Sequence, residues 1–180
     1  MYPNSCYYHH WHNPMPCHWN NKWSYNWTPP INNWGHHNYN SFEYITLQDY
    51  GTQPFVVNID QAAKQNNNYR TALWTGKHFQ VTLMSINIGE DIGLEVHPTT
   101  DQFIRIEEGQ GLVQMGDSRD HLDFQVMAYD DYAIMIPAGK WHNVTNTGHC
   151  PLKVYVIYAP PEHPYGTVQE TKAVAQEEGK

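Results

Sequence analysis

Side chains able to bind a metal ion occur in two short stretches of this 180-residue chain. Glu95, His97, Asp101 and Gln102 lie in the first stretch, and His142 lies in the second, three residues after Gly139. Carboxylate oxygens, imidazole nitrogens and amide oxygens all bind divalent ions, and two histidines with one carboxylate suit catalytic zinc or non-haem iron. The sequence therefore predicts a divalent metal site, with zinc, iron or manganese as the candidate ion.

Extended segments beside tight turns would position these side chains. Glu95 and His97 are two residues apart, so on an extended segment they face the same side. Gln102 begins the predicted strand 102–108, and His142 begins a strand that follows the Pro-Ala-Gly turn at 137–139. We expect the two stretches to meet inside a small β-barrel and to present their side chains to one ion.

The rest of the chain is read as a series of short strands. Runs rich in β-branched and aromatic residues, separated by turn residues, predict an all-β barrel or sandwich. The predicted strands cover residues 54–58, 70–74, 79–86, 95–97, 102–108, 112–115, 124–128, 133–136, 142–146 and 152–158. Asp60 is expected to be the N-cap of a short helix. Residues 168–178 predict a weak terminal helix or a frayed end.

The spacing of the two stretches resembles the paired motifs of the cupin superfamily. The first cupin motif is G-x5-H-x-H-x(3,4)-E-x6-G, and this chain matches every interval with Gly89, Glu95, His97, Gln102 and Gly109. The second is G-x5-P-x-G-x2-H-x3-N, matched by Pro137, Gly139, His142 and Asn146, with Asp131 where glycine is usual. The resemblance covers residues 75–160. It implies a jelly-roll β-barrel, a homodimer and metal ligands at Glu95, His97, Gln102 and His142.

The ligand identities depart from the family pattern. Cupins usually carry His, His, Glu and His at these positions, whereas this chain has glutamate first and glutamine third. The permuted set keeps one negative charge. The amide oxygen of Gln102 would be a weak neutral ligand that water can replace, which would leave an open position for substrate. Asp101 is an alternative carboxylate ligand, ranked lower because Gln102 keeps the six-residue interval to Gly109.

Three further residues are expected at the rim of the site, namely Asp101, Tyr132 and His163. The proline-rich segment 158–166 follows the last strong strand, and we expect it to wrap back over the barrel. Glu162 or His163 would then be available as an acid or a base. The sequence identifies no catalytic residue beyond these candidates.

Residues 1–40 differ in composition from the rest. They hold five of the seven Trp, six of the twelve His and nine Asn, with Lys22 as their one Lys or Arg. This biased composition predicts a disordered or irregular extension, and it resembles the segments of spore-coat proteins. We therefore divide the chain into an extension (1–40), a cupin barrel (41–165) and a polar tail (166–180).

Charge and hydropathy limit the partners. The formal net charge of −8 argues against nucleic acid and anionic membranes as partners. No apolar run approaches the length of a membrane span, and the N-terminus lacks the order of a signal peptide. We expect a cytoplasmic or spore-coat location.

Two functional hypotheses follow from these observations. The first is a metal-binding cupin that binds or acts on a small oxygen-rich metabolite, as an isomerase or an oxygenase. The second is a structural protein in which the barrel is a packing module and residues 1–40 mediate higher-order assembly.

Overall fold

The computed structural model describes residues 44–178. The predictions for residues 1–40, including the assembly role, lie outside this range. The described residues form nine strands: β1 Arg70–Thr75, β2 Gln80–Ile86, β3 Asp101–Glu108, β4 Gln110–Gly116, β5 Phe124–Tyr129, β6 Ala133–Ile136, β7 Trp141–Asn146, β8 Leu152–Ala159 and β9 Val168–Gln169. Two short helices, α1 Ile59–Gln65 and α2 Lys172–Glu178, flank them. Neither helix of this range could cross a membrane.

The strands form two antiparallel sheets. The large sheet has the order β6-β3-β8-β2-β1-β9, and the small sheet has the order β5-β4-β7. Their facing sides enclose one apolar core, which draws Val113 and Val144 from the small sheet and Ile104 and Val156 from the large one. The predicted all-β jelly roll is confirmed. The segment predicted as a C-terminal tail contributes β9, which pairs with β1, and then α2.

The inner face of the large sheet carries polar side chains at one end. On β3, alternate residues are buried, so Gln102 shares the inward face with Ile104 and Ile106 as expected. Gln102 is paired with Tyr158 on β8, and Tyr158 is paired with Gln80 on β2. Residues in register on neighbouring strands share a face. A row of three buried polar side chains therefore crosses the barrel interior above the apolar core.

A second apolar cluster covers part of the outer face of the large sheet. Ala62 and Ala63 of α1 pack there with Leu73 and Leu83, and the lead-in residues around Phe55 complete the cover. The predicted strand at 54–58 is wrong, because these residues pair with no strand and their apolar side chains pack against the sheet instead.

The N-cap of helix α1 also differs from the prediction. The side chain of Asn58 accepts the backbone N–H of Gln61 and caps the helix, so Asp60 lies in the first turn rather than at the cap. There it forms an ion pair with Lys64, one turn along the helix.

Left-handed backbone explains the glycines of the motifs. Gly89, Gly109 and Gly139 have φ values of 76°, 99° and 81°, which residues with a Cβ rarely adopt. Asp131, which replaces the usual glycine, also has a positive φ of 68°. Aspartate tolerates this region better than most residues, and its carboxylate accepts a hydrogen bond from Arg105 at 2.5 Å. The departure from the motif therefore keeps the turn.

Asn146 joins three parts of the backbone at the end of β7. Its buried side-chain amide donates to the carbonyls of Ile86 and Cys150, at 2.9 and 2.8 Å. Its carbonyl oxygen accepts the N–H of Gly148 at 2.8 Å. The last residue of the second motif is thus a structural connector.

Replacing Asn146 with aspartate should therefore destabilise the fold. Asn146→Asp keeps the shape and the acceptor but loses both donations, which leaves two backbone carbonyls facing a carboxylate. We expect the free energy of unfolding in urea to fall by about 2 kcal/mol or more. Asn58→Asp is the matched control, because that side chain only accepts, and it should leave stability nearly unchanged. Equal effects of the two variants would contradict this role.

Candidate metal centre

The segment that carries Glu95 is held against β7 by isolated backbone bridges. Glu95 N–H donates to the carbonyl of His142 at 3.1 Å, and His142 N–H donates to the carbonyl of Glu95 at 2.9 Å. A second bridge joins Asp91 to Thr145. Residues 95–97 are therefore not the strand that the sequence predicted, although the narrow pairing gives them the same extended geometry. The N–H of Gly139 also donates to the carbonyl of His97, at 2.8 Å.

This pairing brings three donor atoms together. Oε1 of Glu95 lies 3.3 Å from Nε2 of His97 and 3.4 Å from Nε2 of His142. All three ligand atoms lie within 4.8 Å of one another. Donors held about 2.1 Å from one tetrahedral ion are about 3.4 Å apart. The spacing of the cluster therefore fits a single divalent ion.

Both imidazoles are oriented through their other nitrogen. Nδ1 of His142 lies 2.9 Å from the carbonyl oxygen of Lys140, which can only accept, so Nδ1 carries the proton and Nε2 has a free lone pair. Nε2 of His142 is buried without a hydrogen-bond partner, since its 3.4 Å approach to Glu95 lacks hydrogen-bond geometry. Nδ1 of His97 lies 3.1 Å from Oε1 of Glu162, whose other oxygen accepts from Thr100 at 2.9 Å. Outer partners of this kind are typical of histidines that bind metals.

The cluster is strongly coupled electrostatically. Burial raises the pKa of Glu95, but the close approach of the His142 and His97 imidazoles outweighs it and lowers that pKa to about 2. Burial lowers the pKa of His97, yet Glu95 and Glu162 outweigh it, so the net shift is upward. The carboxylate is thus ionised and stabilises positive charge between the two rings, the position that a cation would take.

Gln102, the fourth predicted ligand, lies on the inner face of β3. Its side chain is buried, and its Oε1 has no hydrogen-bond partner. It lies one strand away from Tyr158, whose ring meets the ring of His97 edge to face with centroids 5.7 Å apart. An orphaned amide oxygen is costly in an apolar interior, and a metal ion or its bound water would satisfy it.

The segment after β8 wraps back over the barrel, as its prolines predicted. The side chain of Gln80 binds the backbone of His163 twice, since it accepts the N–H at 3.0 Å and donates to the carbonyl at 2.9 Å. The ring of His163 then packs edge to face on Tyr158, with centroids 4.9 Å apart. Glu162, one residue earlier, is thereby held beside His97.

The other rim candidates have different positions. Oδ1 of Asp101 accepts the N–H of Ala138 at 2.9 Å, so this carboxylate fixes the 137–139 turn. Tyr132 is not brought to the site. It is 50% exposed and packs on Tyr129, beside the end of β6 farthest from Gln102.

The sequence reasoning missed three residues that the structure places around the site. Thr100 holds Glu162, and Arg70 and Tyr158 lie inside the barrel. Alternation along β8 places Tyr158 two residues from Val156 on the inward face, a signal that could have identified it. Thr100 has no such signal, because its partner is distant in sequence.

Comparisons with known proteins agree with the fold. The family model for the cupin domain matches residues 82–158. The protein YrkC of Bacillus subtilis (strain 168) is 70% identical over 131 residues, which are 73% of this chain and 70% of YrkC. Protein L612 of Acanthamoeba polyphaga mimivirus is 38% identical over 117 residues, which are 64% of this chain and 71% of L612. The crystal structure of BH2720 from Bacillus halodurans superposes on this structure with a TM-score of 0.72 and a sequence identity of 65%. The match covers 72% of this chain and 98% of the BH2720 chain.

Variants of Asp101 should separate a turn-fixing role from a ligand role. Asp101→Asn keeps an oxygen acceptor for Ala138 and should be close to wild type, whereas Asp101→Ala should lose about 1 kcal/mol of unfolding free energy. Asp117→Ala removes a carboxylate that forms only an exposed ion pair with Lys140 and should leave the melting temperature unchanged. Loss of metal affinity in Asp101→Asn would contradict the turn-fixing role.

Proposed function

Because the chain belongs to the cupin superfamily, we propose that it holds one divalent metal ion and acts on a small oxygen-rich molecule. Glu95, His97 and His142 would be the ligands, with the amide oxygen of Gln102 as a fourth. The observation that carries the proposal is the convergence of three donor atoms within 4.8 Å, with each imidazole directed by a partner on its other nitrogen.

The donor set accounts for the choice of ion. Two neutral imidazoles, one carboxylate and one amide oxygen carry a single negative charge, which suits zinc, iron or manganese better than a soft ion that prefers thiolates. When bound, such an ion would polarise a carbonyl or hydroxyl oxygen of a substrate. Because Gln102 is a neutral donor, its position is the one that water or a substrate oxygen would most readily occupy.

The residues around the cluster support access and orientation. The side chains of Glu95 and Glu162 remain 27% and 32% exposed, so solvent reaches the centre at these two carboxylates. Glu162, 3.1 Å from Nδ1 of His97, would orient that ring. Burial and the positive charge of Arg70 lower the pKa of His163 to about 3, so its imidazole is neutral at physiological pH.

Metal titration tests the site directly. We expect the full chain, purified without a tag and stripped of metal, to bind one equivalent of Zn²⁺ or Mn²⁺ in calorimetry. Glu95→Gln, His97→Ala and His142→Ala should each weaken binding by more than about 100-fold, since even the loss of an outer partner typically costs about 10–100-fold. Glu162→Ala should fall within that smaller range.

His121→Ala is the matched control for these variants. Its imidazole is exposed and lies outside the cluster, so its loss should leave affinity unchanged. The proposal fails if the wild-type chain binds no stoichiometric ion, or if the three ligand variants bind it as tightly as His121→Ala does.

Two reaction classes fit such a centre, and they leave different traces. Isomerisation of a hydroxy-carbonyl compound moves a proton next to the carbonyl, so deuterium from D₂O should enter that position without oxygen. Oxygenation should instead consume O₂ in the presence of Fe²⁺. We expect a panel of small sugars and hydroxy acids to show one of these signals in the wild-type protein and neither in His142→Ala. Equal signals in the two proteins would contradict metal-dependent turnover.

A further inference from the structure

The inner face of the large sheet holds polar atoms that no other residue satisfies. Within residues 44–178, five buried side-chain atoms on or against this face have no hydrogen-bond partner. They are Nε of Arg70, Oγ1 of Thr82, Oε1 of Gln102, the hydroxyl of Tyr158 and Nε2 of His163. Buried polar groups are almost always hydrogen-bonded in folded proteins. Their concentration on one face therefore points to a polar ligand.

Most of these atoms are hydrogen-bond donors. The hydroxyls of Tyr158 and Thr82 can each donate, and the side chain of Tyr158 is fully buried. Arg70 gives one terminal nitrogen to Oε1 of Gln169 at 2.7 Å and packs another against the sulfur of Met84, which leaves its Nε–H unused. A face with several free donors is complementary to a ligand rich in acceptor oxygens.

Arg70 and Tyr158 lie close together on the inner face of the large sheet. Burial raises the pKa of Tyr158 to about 12, although the nearby guanidinium of Arg70 partly offsets this. The Arg70 guanidinium approaches the phenolic oxygen closely enough to act on it through hydrogen bonding and charge, although no contact of the hydroxyl meets strict hydrogen-bond geometry. The hydroxyl can therefore donate to a ligand that lies beside a fixed positive charge.

Charge favours an anionic ligand once a divalent ion is present. Glu95 and Glu162 are the carboxylates that face the cluster, and Arg70 is the buried cation behind it. Two negative groups, one positive group and a divalent ion leave a formal charge of plus one in a mostly buried space. A monoanion would neutralise it, and buried charge is costly unless it is paired.

We infer that Arg70, Tyr158 and Thr82 form a carboxylate subsite, so that the substrate is a small organic acid whose second oxygen reaches the metal position. This inference rests on the proposed function. The ring of Tyr158 contacts that of His97 with centroids 5.7 Å apart, so this member of the subsite lies beside a metal ligand. An acid of about two to four carbon atoms, such as a 2-hydroxy acid, spans that separation.

Glycolate and its neutral analogue glycolamide test the subsite. The full-length protein is loaded with one equivalent of Zn²⁺ and desalted, and each compound is titrated by calorimetry. We expect glycolate to bind at least about tenfold more tightly than glycolamide, because only the carboxylate pairs with Arg70. Tyr158→Phe and Arg70→Lys should each weaken glycolate binding by about tenfold or more, with zinc affinity within about threefold of wild type.

A second buried tyrosine supplies the matched control. The hydroxyl of Tyr69 already donates to the carbonyl of Ile92 at 2.8 Å. Tyr69→Phe should therefore lower the melting temperature by about 2–4 °C and leave glycolate affinity unchanged. Tyr158→Phe removes a hydroxyl without a partner, so without ligand its melting temperature should equal or exceed that of wild type.

The outcomes separate the two proposals. A wild-type chain that retains no zinc overturns the proposed function and this inference with it. A chain that retains zinc but binds glycolate no more tightly than glycolamide overturns the inference alone. So does a Tyr158→Phe protein that keeps wild-type glycolate affinity, because the free hydroxyl would then serve only an internal water.

Discussion

The pair of backbone hydrogen bonds between Glu95 and His142 is the contact on which the candidate centre depends. Residues 89–97 belong to neither sheet, and this bridge, together with the hydrogen bonds of Gly89 and Ile92 to β7, attaches them to that strand. Because Glu95 and His142 exchange both backbone hydrogen bonds, they lie directly opposite each other, and residues so paired share a face. His97 follows two residues later on the same side, so one local pairing positions all three donors.

The large sheet and the segment after β8 supply the other polar side chains around the three donors. The large sheet closes the other side of the space with the row of Gln80, Tyr158 and Gln102, and the wrap after β8 brings Glu162 over His97. These groups are polar in a setting that is otherwise apolar, and each buried polar group without a partner destabilises the fold. The unsatisfied side chains of Gln102 and Tyr158 therefore lower the stability of the fold near the site. Such local costs are common where a protein binds a ligand.

The sequence predicted the parts that depend on local spacing. The intervals from Gly89 to Gly109 and from Pro137 to Asn146 predicted the barrel, because positive φ values and strand alternation require particular residues at fixed separations. The same intervals identified Glu95, His97 and His142, which the structure brings together. The prediction of Asp60 as the N-cap of α1 was wrong, and Asn58 is the cap. Both residue types are good N-caps, so only the tertiary packing of α1 decides between them.

Interactions between distant residues explain the remaining differences. Residues 54–58 have the composition of a strand, but they pair with no strand and their apolar side chains pack on the outer face of the large sheet. Tyr132 was expected near the barrel mouth, but it precedes the end of β6 that lies farthest from Gln102. Arg70 lies far from both motifs in sequence, and only the pairing of β1 with β2 places it inside the barrel.

The segment 158–166, which Gln80 holds over the barrel through the backbone of His163, has a consequence for biosynthesis. The cupin-domain match ends at residue 158, yet Glu162, His163 and Gln169, which orient or support the interior, are all translated later. A nascent chain that has emerged only as far as β8 contains all four candidate ligands but lacks the carboxylate that contacts Nδ1 of His97. The candidate centre is therefore complete only after the C-terminal segment has been translated and has folded over the barrel.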